Sequence, residues 1–231
     1  MNYRVSIAPP EPGGTGSDGD AAADFLASAA LLDRVDEWQD IVADKKRILV
    51  APAKTAEGSV GRPLAGIALA RALAATEVRV VAIDLHADNA ANATLGEAAD
   101  RPGFADLLSG DATYAEVIFR DRHSRVHFIP NGQKPLSWAD LGAHARLDVI
   151  LEALSLTYDY VVLEVEDESI AILAPFFPVA MVATEAGTLD PRAAAAIARI
   201  STASDASIHL LLPDPGEVAG ETRSPPATRI A

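Results

Sequence analysis

The segment of residues 47–75, which reads RILVAPAKTAEGSVGRPLAGIALARALAA, decides the fold. Its aliphatic run at residues 48–50 predicts a buried β-strand, because strands covered on both faces are continuous aliphatic runs. A loop over residues 51–62 follows, and the alanine- and leucine-rich residues 63–75 predict a helix. Pro63 suits the first turn of that helix, where its missing N–H would have no partner anyway. Strand, loop and helix in this order indicate the first half of a β-α-β unit.

The same alternation of strand and helix continues along the chain. Because β-α-β units have right-handed crossovers, the pattern predicts a mostly parallel central sheet with helices on both faces, a three-layer α/β/α fold. Further strands are predicted at 78–83, 126–129, 160–165, 179–183 and 208–212, and further helices at 22–40, 104–108, 114–119, 138–156, 168–173 and 191–201.

Composition divides the chain into one domain and two tails. Residues 1–21 and 213–231 are rich in Pro, Gly and small polar residues, which is typical of disordered segments. The sequence therefore predicts a disordered N-terminal segment, an α/β domain over residues 22–212, and a flexible C-terminal tail.

Charge and residue content exclude several classes of function. The formal net charge of −14 argues against non-specific nucleic-acid binding, which needs a basic surface. The chain has no cysteine, so it has no disulfide and no cysteine-based metal site. Neither a signal peptide nor a run of about 18 apolar residues is present, so the sequence predicts a soluble cytoplasmic protein.

In a parallel sheet, ligands bind beyond the carboxyl ends of the strands, so the loop after the first strand is a candidate site. A phosphate-binding loop follows the pattern G-x-x-x-x-G-K-[ST], in which backbone amides and the lysine hold phosphates and the hydroxyl holds Mg²⁺. The stretch that aligns here includes Ala56, Gly58, Gly61, Arg62 and Pro63. Ala56 replaces the first glycine, Arg62 the lysine and Pro63 the hydroxyl residue. Because proline has neither a hydroxyl nor an N–H, the simpler interpretation is an ordinary strand-to-helix loop.

Acidic residues end two other predicted strands at the same edge. Asp84 follows an aliphatic run, with His86 two residues later, and Glu164 ends the run at residues 161–163. Carboxylates in such positions suit a Mg²⁺ site, although acids at strand ends are also common as solvated residues. We interpret His86 as a solvated loop residue in preference to a metal ligand. The acidic run at 164–168 either repels phosphate or forms an ordinary exposed edge.

Residues 46–212 resemble the cytoplasmic ATP-binding domain of the bacterial tyrosine kinases of capsule and exopolysaccharide systems, in the superfamily of the ParA/MinD ATPases. The resemblance implies a P-loop NTPase-like fold. It is carried by ALA at 68–70 (Asn-Leu-Ala in the family), GFADLLSG at 103–110 (Gly-Leu-x-Asp-x-Leu-x-Gly), FIPNG at 128–132 (Leu-Pro-Ala-Gly), WADL at 138–141 (Pro-x-Glu-Leu), YDYVV at 158–162 (Tyr-Asp-Tyr-Val-Ile) and TEAG at 184–187 (Val-x-x-Gly).

Departures from the family fall on its chemistry. Arg62 and Pro63 stand at its lysine and hydroxyl positions, and Glu164 stands at its Walker B aspartate. Its Asp-x-Asp-x-Arg motif keeps the first acid, Asp84, while His86 takes the place of the second. The tyrosine cluster that the kinases phosphorylate is missing, since no tyrosine follows Tyr160. The resemblance with these losses implies a pseudoenzyme with a vestigial nucleotide site, no catalytic residue, no metal and no cofactor.

Such a protein is expected to take part in exopolysaccharide biosynthesis or export, of a capsule or holdfast type. The expected partner is an inner-membrane chain-length or co-polymerase protein, which would recruit this cytoplasmic chain to the inner face of the membrane. Two alternatives stay open: a weakly active ATPase or tyrosine kinase that binds ATP or ADP, and a MinD/ParA-like localisation protein. Homo-oligomer formation is open as well.

Overall fold

The computed structural model describes residues 35–52, 65–86, 101–134, 145–183 and 191–211. Its helices are α1 (Val35–Val42), α2 (Ala65–Ala74), α3 (Phe104–Ser109), α4 (Tyr114–Val117), α5 (Ala145–Thr157), α6 (Ile170–Leu173) and α7 (Pro191–Ala203), with a turn of 3-10 helix at Ala174–Phe176. Its strands are β1 (Arg47–Pro52), β2 (Val80–Asp84), β3 (Phe119–Arg120), β4 (His127–Ile129), β5 (Tyr160–Glu164), β6 (Val179–Ala183) and β7 (Ser207–Leu211).

Within these ranges the strands form one seven-stranded sheet in the order β3-β4-β2-β5-β1-β6-β7. Every neighbouring pair is parallel except β3 and β4, which run antiparallel at one edge. Strands β2, β5 and β1 lie side by side in the middle, so their carboxyl ends meet at one edge of the sheet. The predicted three-layer, mostly parallel α/β fold is confirmed.

Two apolar cores cover the two faces of the sheet. Alternate residues of each strand point to opposite faces, which is the period of an extended chain. One face packs against α1 and α2 and contains Trp38, which is 1% exposed. The other packs against α3, α5, α6 and α7. Asp84 and Glu164 share the alternation of Ala82 and Val162, so they belong to the face that carries α2.

The element predictions hold across the described residues, with one correction and several shifted ends. The helix predicted at 114–119 stops at Val117, because Phe119 begins β3 and pairs with Phe128 of β4. The parts of the predicted helices at 22–34 and 138–144 lie outside the described residues, as do the predicted tails 1–21 and 213–231. No helix in the described part of the chain combines the length and apolarity needed to cross a bilayer.

Candidate functional site

Two acidic residues lie next to each other at the carboxyl edge of the central strands. Asp84 of β2 is the register partner of Glu164 of β5, and Glu164 is also the partner of Val50 of β1. Neighbouring strands are about 4.8 Å apart, so the two carboxylates start from adjacent backbone positions. Asp84 is 1% exposed and Glu164 2% exposed. The predicted convergence of the segments after β1, β2 and β5 is confirmed as far as these strands are described.

Glu164 reaches from the sheet to the first turn of helix α2. Its Oε2 accepts a hydrogen bond from the backbone N–H of Gly66, at 3.0 Å and away from solvent. First-turn amides of a helix often need a partner outside the helix, and a negative charge there is favourable because of the helix dipole. Helix α2 carries no acidic residue in its own first turn. Glu164 supplies that charge from a strand.

Gly66 is the residue that makes this approach possible. A β-carbon added at Gly66 would lie 2.9 Å from both Cβ and Oε2 of Glu164. Carbon atoms do not approach this closely without a shift in one of the two elements. Sequence reasoning did not select Gly66, although an isolated glycine within a helical pattern often indicates a packing reason.

Asp84 and His86 form a buried pair within one turn of chain. The Asp84 Oδ1 atom accepts the backbone N–H of His86 at 3.0 Å, and the ring Nδ1 of His86 lies 2.5 Å from the same oxygen. An ionised carboxylate only accepts, so the imidazole donates through Nδ1 in this pair. His86 is 1% exposed, which corrects the interpretation of it as a solvated loop residue. The reason is the turn itself, which folds the ring back onto the acid.

The second oxygen of Asp84 is in a different situation. Oδ2 is buried and has no hydrogen-bond partner among the described residues. A buried carboxylate oxygen without a donor is costly, so this atom is where a cation or a donor group of a ligand would be bound most favourably.

The acidic run after β5 does not form a uniform edge. Glu164 is buried and faces α2, Glu166 and Asp167 are partly exposed, and Glu168 is exposed. The alternative of an ordinary exposed edge is therefore correct for Glu168 and wrong for Glu164. Asp167 has a cationic neighbour, since Arg199 of α7 donates to its backbone carbonyl at 2.9 Å.

Contacts between helix α3 and the residues after β4 support the loop that follows β4. Asp106 of α3 accepts the backbone N–H groups of Gly103 and Gln133 through Oδ2, at 2.9 and 3.1 Å. Phe104 also donates its N–H to the carbonyl of Pro130, at 2.8 Å. The segments GFADLLSG and FIPNG, noted separately in the sequence, are thus one structural unit. Their contacts hold the loop after β4 in place and give no evidence of chemistry.

Several predicted site residues cannot be placed. The aligned phosphate-loop residues lie outside the described ranges; they are Ala56, Gly58, Gly61, Arg62 and Pro63. Their relation to Asp84 and Glu164 stays a prediction. Within the described part of the chain, no group of three or more His, Cys, Asp or Glu side chains is arranged to hold a metal ion.

No family model matches this chain, and no curated protein matches it. Solved structures do match. The VpsO kinase domain superposes with a TM-score of 0.69 at 15% identity, over 86% of this chain and 98% of that domain. The kinase domain of the Escherichia coli tyrosine kinase ETK gives 0.64 at 16% identity, over 90% of this chain and 84% of that one.

Proteins with other activities share the fold. MinD, in the MinC:MinD cell division complex of Aquifex aeolicus, gives a TM-score of 0.55 at 17% identity over 72% and 68% of the two chains. Cobyrinic acid a,c-diamide synthase of Mycobacterium smegmatis, solved with bound ADP and magnesium, gives 0.58 at 19% identity over 72% and 74%. The chain thus has the fold of bacterial tyrosine kinase domains and of MinD-type proteins, which confirms the resemblance that the sequence motifs suggested.

Proposed function

We propose that this chain is a catalytically inactive, kinase-like protein that acts as a regulatory partner in exopolysaccharide biosynthesis or export. The observation that carries the proposal is the hydrogen bond from the Gly66 amide to Glu164, because it engages the acid that stands where the kinases have a catalytic aspartate. The exopolysaccharide context comes from the resemblance of residues 46–212 to the bacterial tyrosine kinases of capsule and exopolysaccharide systems, and the fold shared with the VpsO and ETK kinase domains supports that resemblance.

The contact with Gly66 opposes metal binding through Oε2 of Glu164. To ligate Mg²⁺ through Oε2, Glu164 would have to share or release the Gly66 amide, and leaving a buried amide unsatisfied costs about 1–3 kcal/mol. Mg²⁺ also demands near-octahedral geometry at about 2.0–2.1 Å, which tolerates little displacement of its ligands. Pro63 cannot replace the lost ligand, since it has no hydroxyl. The sequence therefore offers no hydroxyl ligand at position 63, and one oxygen of Glu164 is held by the Gly66 amide.

The role follows from what the chain retains. A folded kinase-like domain without turnover can still bind a partner, and the proposed partner is an inner-membrane chain-length or co-polymerase protein that brings this chain to the inner face of the membrane. A net charge of −14 makes a nucleic acid a poor partner and a basic protein surface a favourable one.

Calorimetric titration with ATP and ADP, with and without Mg²⁺, tests the loss of nucleotide chemistry. We expect no heat of binding and no thermal shift at millimolar nucleotide. Micromolar, Mg²⁺-dependent ATP binding would contradict the proposal. Complementation tests the partner role: in cells from which the gene has been deleted, an Asp84→Asn variant should restore polysaccharide output as well as the wild type, provided that it is equally abundant.

A second candidate function is a weakly active, Mg²⁺-dependent ATPase. It is favoured by Oδ2 of Asp84, which has no hydrogen-bond partner in the described ranges and lies on the strand beside Glu164. The same fold binds ADP and magnesium in the cobyrinic acid synthase. Under this alternative, the wild type would bind ATP with Mg²⁺ and the Asp84→Asn variant would not. Under the main proposal, neither the wild type nor the variant binds ATP.

A further inference from the structure

We propose that Glu164 and Gly66 form a latch that holds helix α2 against strand β5 in one position without nucleotide. The inference rests on the proposed function, because a nucleotide-independent partner protein needs a helix whose position does not depend on a bound phosphate or metal. The latch is defined by the 3.0 Å hydrogen bond from the Gly66 N–H to Oε2 of Glu164.

The latch joins two elements at the place where a ligand-dependent link would act. Strand β5 is at the centre of the sheet, between β2 and β1. Helix α2 follows the loop that aligns with phosphate-binding loops, and it packs on β1, β2 and β5. In a nucleotide-binding protein of this kind, the phosphates and metal bridge loop and strand. Here the side chain of Glu164 joins helix α2 directly to strand β5.

Charge strengthens the link at the first turn of α2. An acid beside the N-terminus of a helix is stabilised by the dipole, and hydrogen bonds with an ionised partner are about twice as strong as neutral ones. Because α2 has no acid of its own there, the carboxylate of Glu164 has no competitor within the helix. The burial of Glu164, at 2% exposure, protects the interaction from screening by salt.

The opposite end of α2 is also anchored. Arg71, in the last turn, donates Nε and Nη2 to the carboxylate of Asp121 at 2.9 and 3.1 Å. Asp121 lies in the turn between β3 and β4, and its side chain is fully buried. A helix fixed at its first turn by Glu164 and at its last by Asp121 has little freedom to slide along the sheet.

The latch depends on the absence of a side chain at position 66 and on the length of the side chain at position 164. The β-carbon of any larger residue at position 66 would lie 2.9 Å from Glu164 Cβ, an atom fixed to the strand. An aspartate at position 164 would be one methylene shorter and would fall short of the Gly66 amide. The pair therefore works only as glycine with glutamate.

Amide hydrogen exchange with single-residue resolution tests the latch in the full chain. In Glu164→Ala, the Gly66 amide should exchange about tenfold to a hundredfold faster, relative to the amides of β7, because it loses a charge-assisted partner. Glu164→Gln keeps an acceptor oxygen and should show a smaller increase. Glu164→Asp, a mild change that keeps the charge, should resemble Glu164→Ala, whereas the control Glu168→Ala, at an exposed position, should not change the exchange rate of the Gly66 amide.

Each outcome separates the latch from the proposed function. If Gly66 in both Glu164→Ala and Glu164→Asp exchanges no faster, relative to β7, than in the wild type, the latch is wrong. If Glu164→Gln is as fast as Glu164→Ala, the acceptor oxygen is not what protects Gly66, and the latch is again wrong. Addition of ATP with Mg²⁺ should leave the wild-type Gly66 amide unchanged. If ATP with Mg²⁺ slows exchange of the Gly66 amide, the inactive-partner proposal is wrong. The latch would then still be decided by the exchange rates measured without nucleotide.

Discussion

Replacement of Gly66 by alanine should destabilise the protein, although the same change in an ordinary helix stabilises it. In a helix interior, glycine costs roughly 0.5–1 kcal/mol relative to alanine. Here the new β-carbon would meet Cβ and Oε2 of Glu164 at 2.9 Å and Cδ at 3.5 Å. Overpacking costs typically 1–3 kcal/mol, and displacement of the carboxylate also removes a hydrogen bond worth about 1.5–3 kcal/mol. The net expected loss is roughly 2–5 kcal/mol.

Urea unfolding followed by circular dichroism measures this loss as a shift of the midpoint at constant slope. The double variant Gly66→Ala/Glu164→Ala provides the control, because the carboxylate contact and the hydrogen bond are then already absent. Only the contact with Cβ remains, so the alanine at position 66 should cost at least about 1 kcal/mol less in that background. A stabilisation of the single variant by 0.5–1 kcal/mol would refute the close approach of α2 to β5.

Two further predictions concern buried polar pairs outside the site. Asp121→Ala leaves the guanidinium of Arg71 without its buried partner and should lower the free energy of unfolding by about 3–5 kcal/mol. The control Asp167→Ala breaks an exposed pair at 4.0 Å and should lower it by less than about 1 kcal/mol. Equal losses of stability in urea unfolding would refute this prediction. Burial opposes ionisation of Asp121, but hydrogen bonding and the charge of Arg71 lower its pKa overall, so its contribution is present above the ordinary value of 3.8 and is lost as the pH falls through the lower folded-state value. Tyr158→Phe removes a hydroxyl 2.7 Å from Nδ1 of His127 and should cost about 0.5–1.5 kcal/mol at neutral pH. Because burial raises the pKa of Tyr158 above its ordinary 10.0, wild-type stability should fall as the pH rises past that value, and the variant should lose less; identical alkaline unfolding curves would contradict this.

The strands of the central sheet were predictable because their signal is local. Residues 179–183 were predicted as a strand with the bounds that the structure gives, since an aliphatic run that directly follows a proline leaves little choice. The two-residue strand β3 could not be predicted, because it is too short to show a period of two and exists only through its pairing with β4. Its antiparallel direction, likewise, is a property of the partner strand and not of its own residues.

The site was predictable in chemical content but not in contacts. The sequence indicated that Asp84 and Glu164 would reach the same edge of the sheet, because parallel strands end together. It could not show that Glu164 contacts Gly66, since the two are separated by 98 positions and the contact depends on the length of one side chain and the absence of another. Nor could it show that His86 is buried, because a histidine just after a strand carries no pattern that separates a solvated ring from one folded onto a neighbouring acid.

Each of the two adjacent acids at the edge of the sheet has a hydrogen-bond donor for one of its oxygens. Adjacent buried carboxylates repel each other strongly, and in many proteins a metal ion relieves that repulsion. Here each acid has its own donor: the backbone and ring of His86 for Asp84, and the first-turn amide of α2 for Glu164. These donors lie on different elements, since His86 follows β2 and Gly66 belongs to α2. These contacts use one oxygen of each carboxylate, so under the proposed function they stabilise the pair without a cation, whereas a cation bound through Oδ2 of Asp84 would leave both contacts with His86 intact. Under the proposed function, Glu164 is therefore a structural residue that links β5 to the first turn of α2.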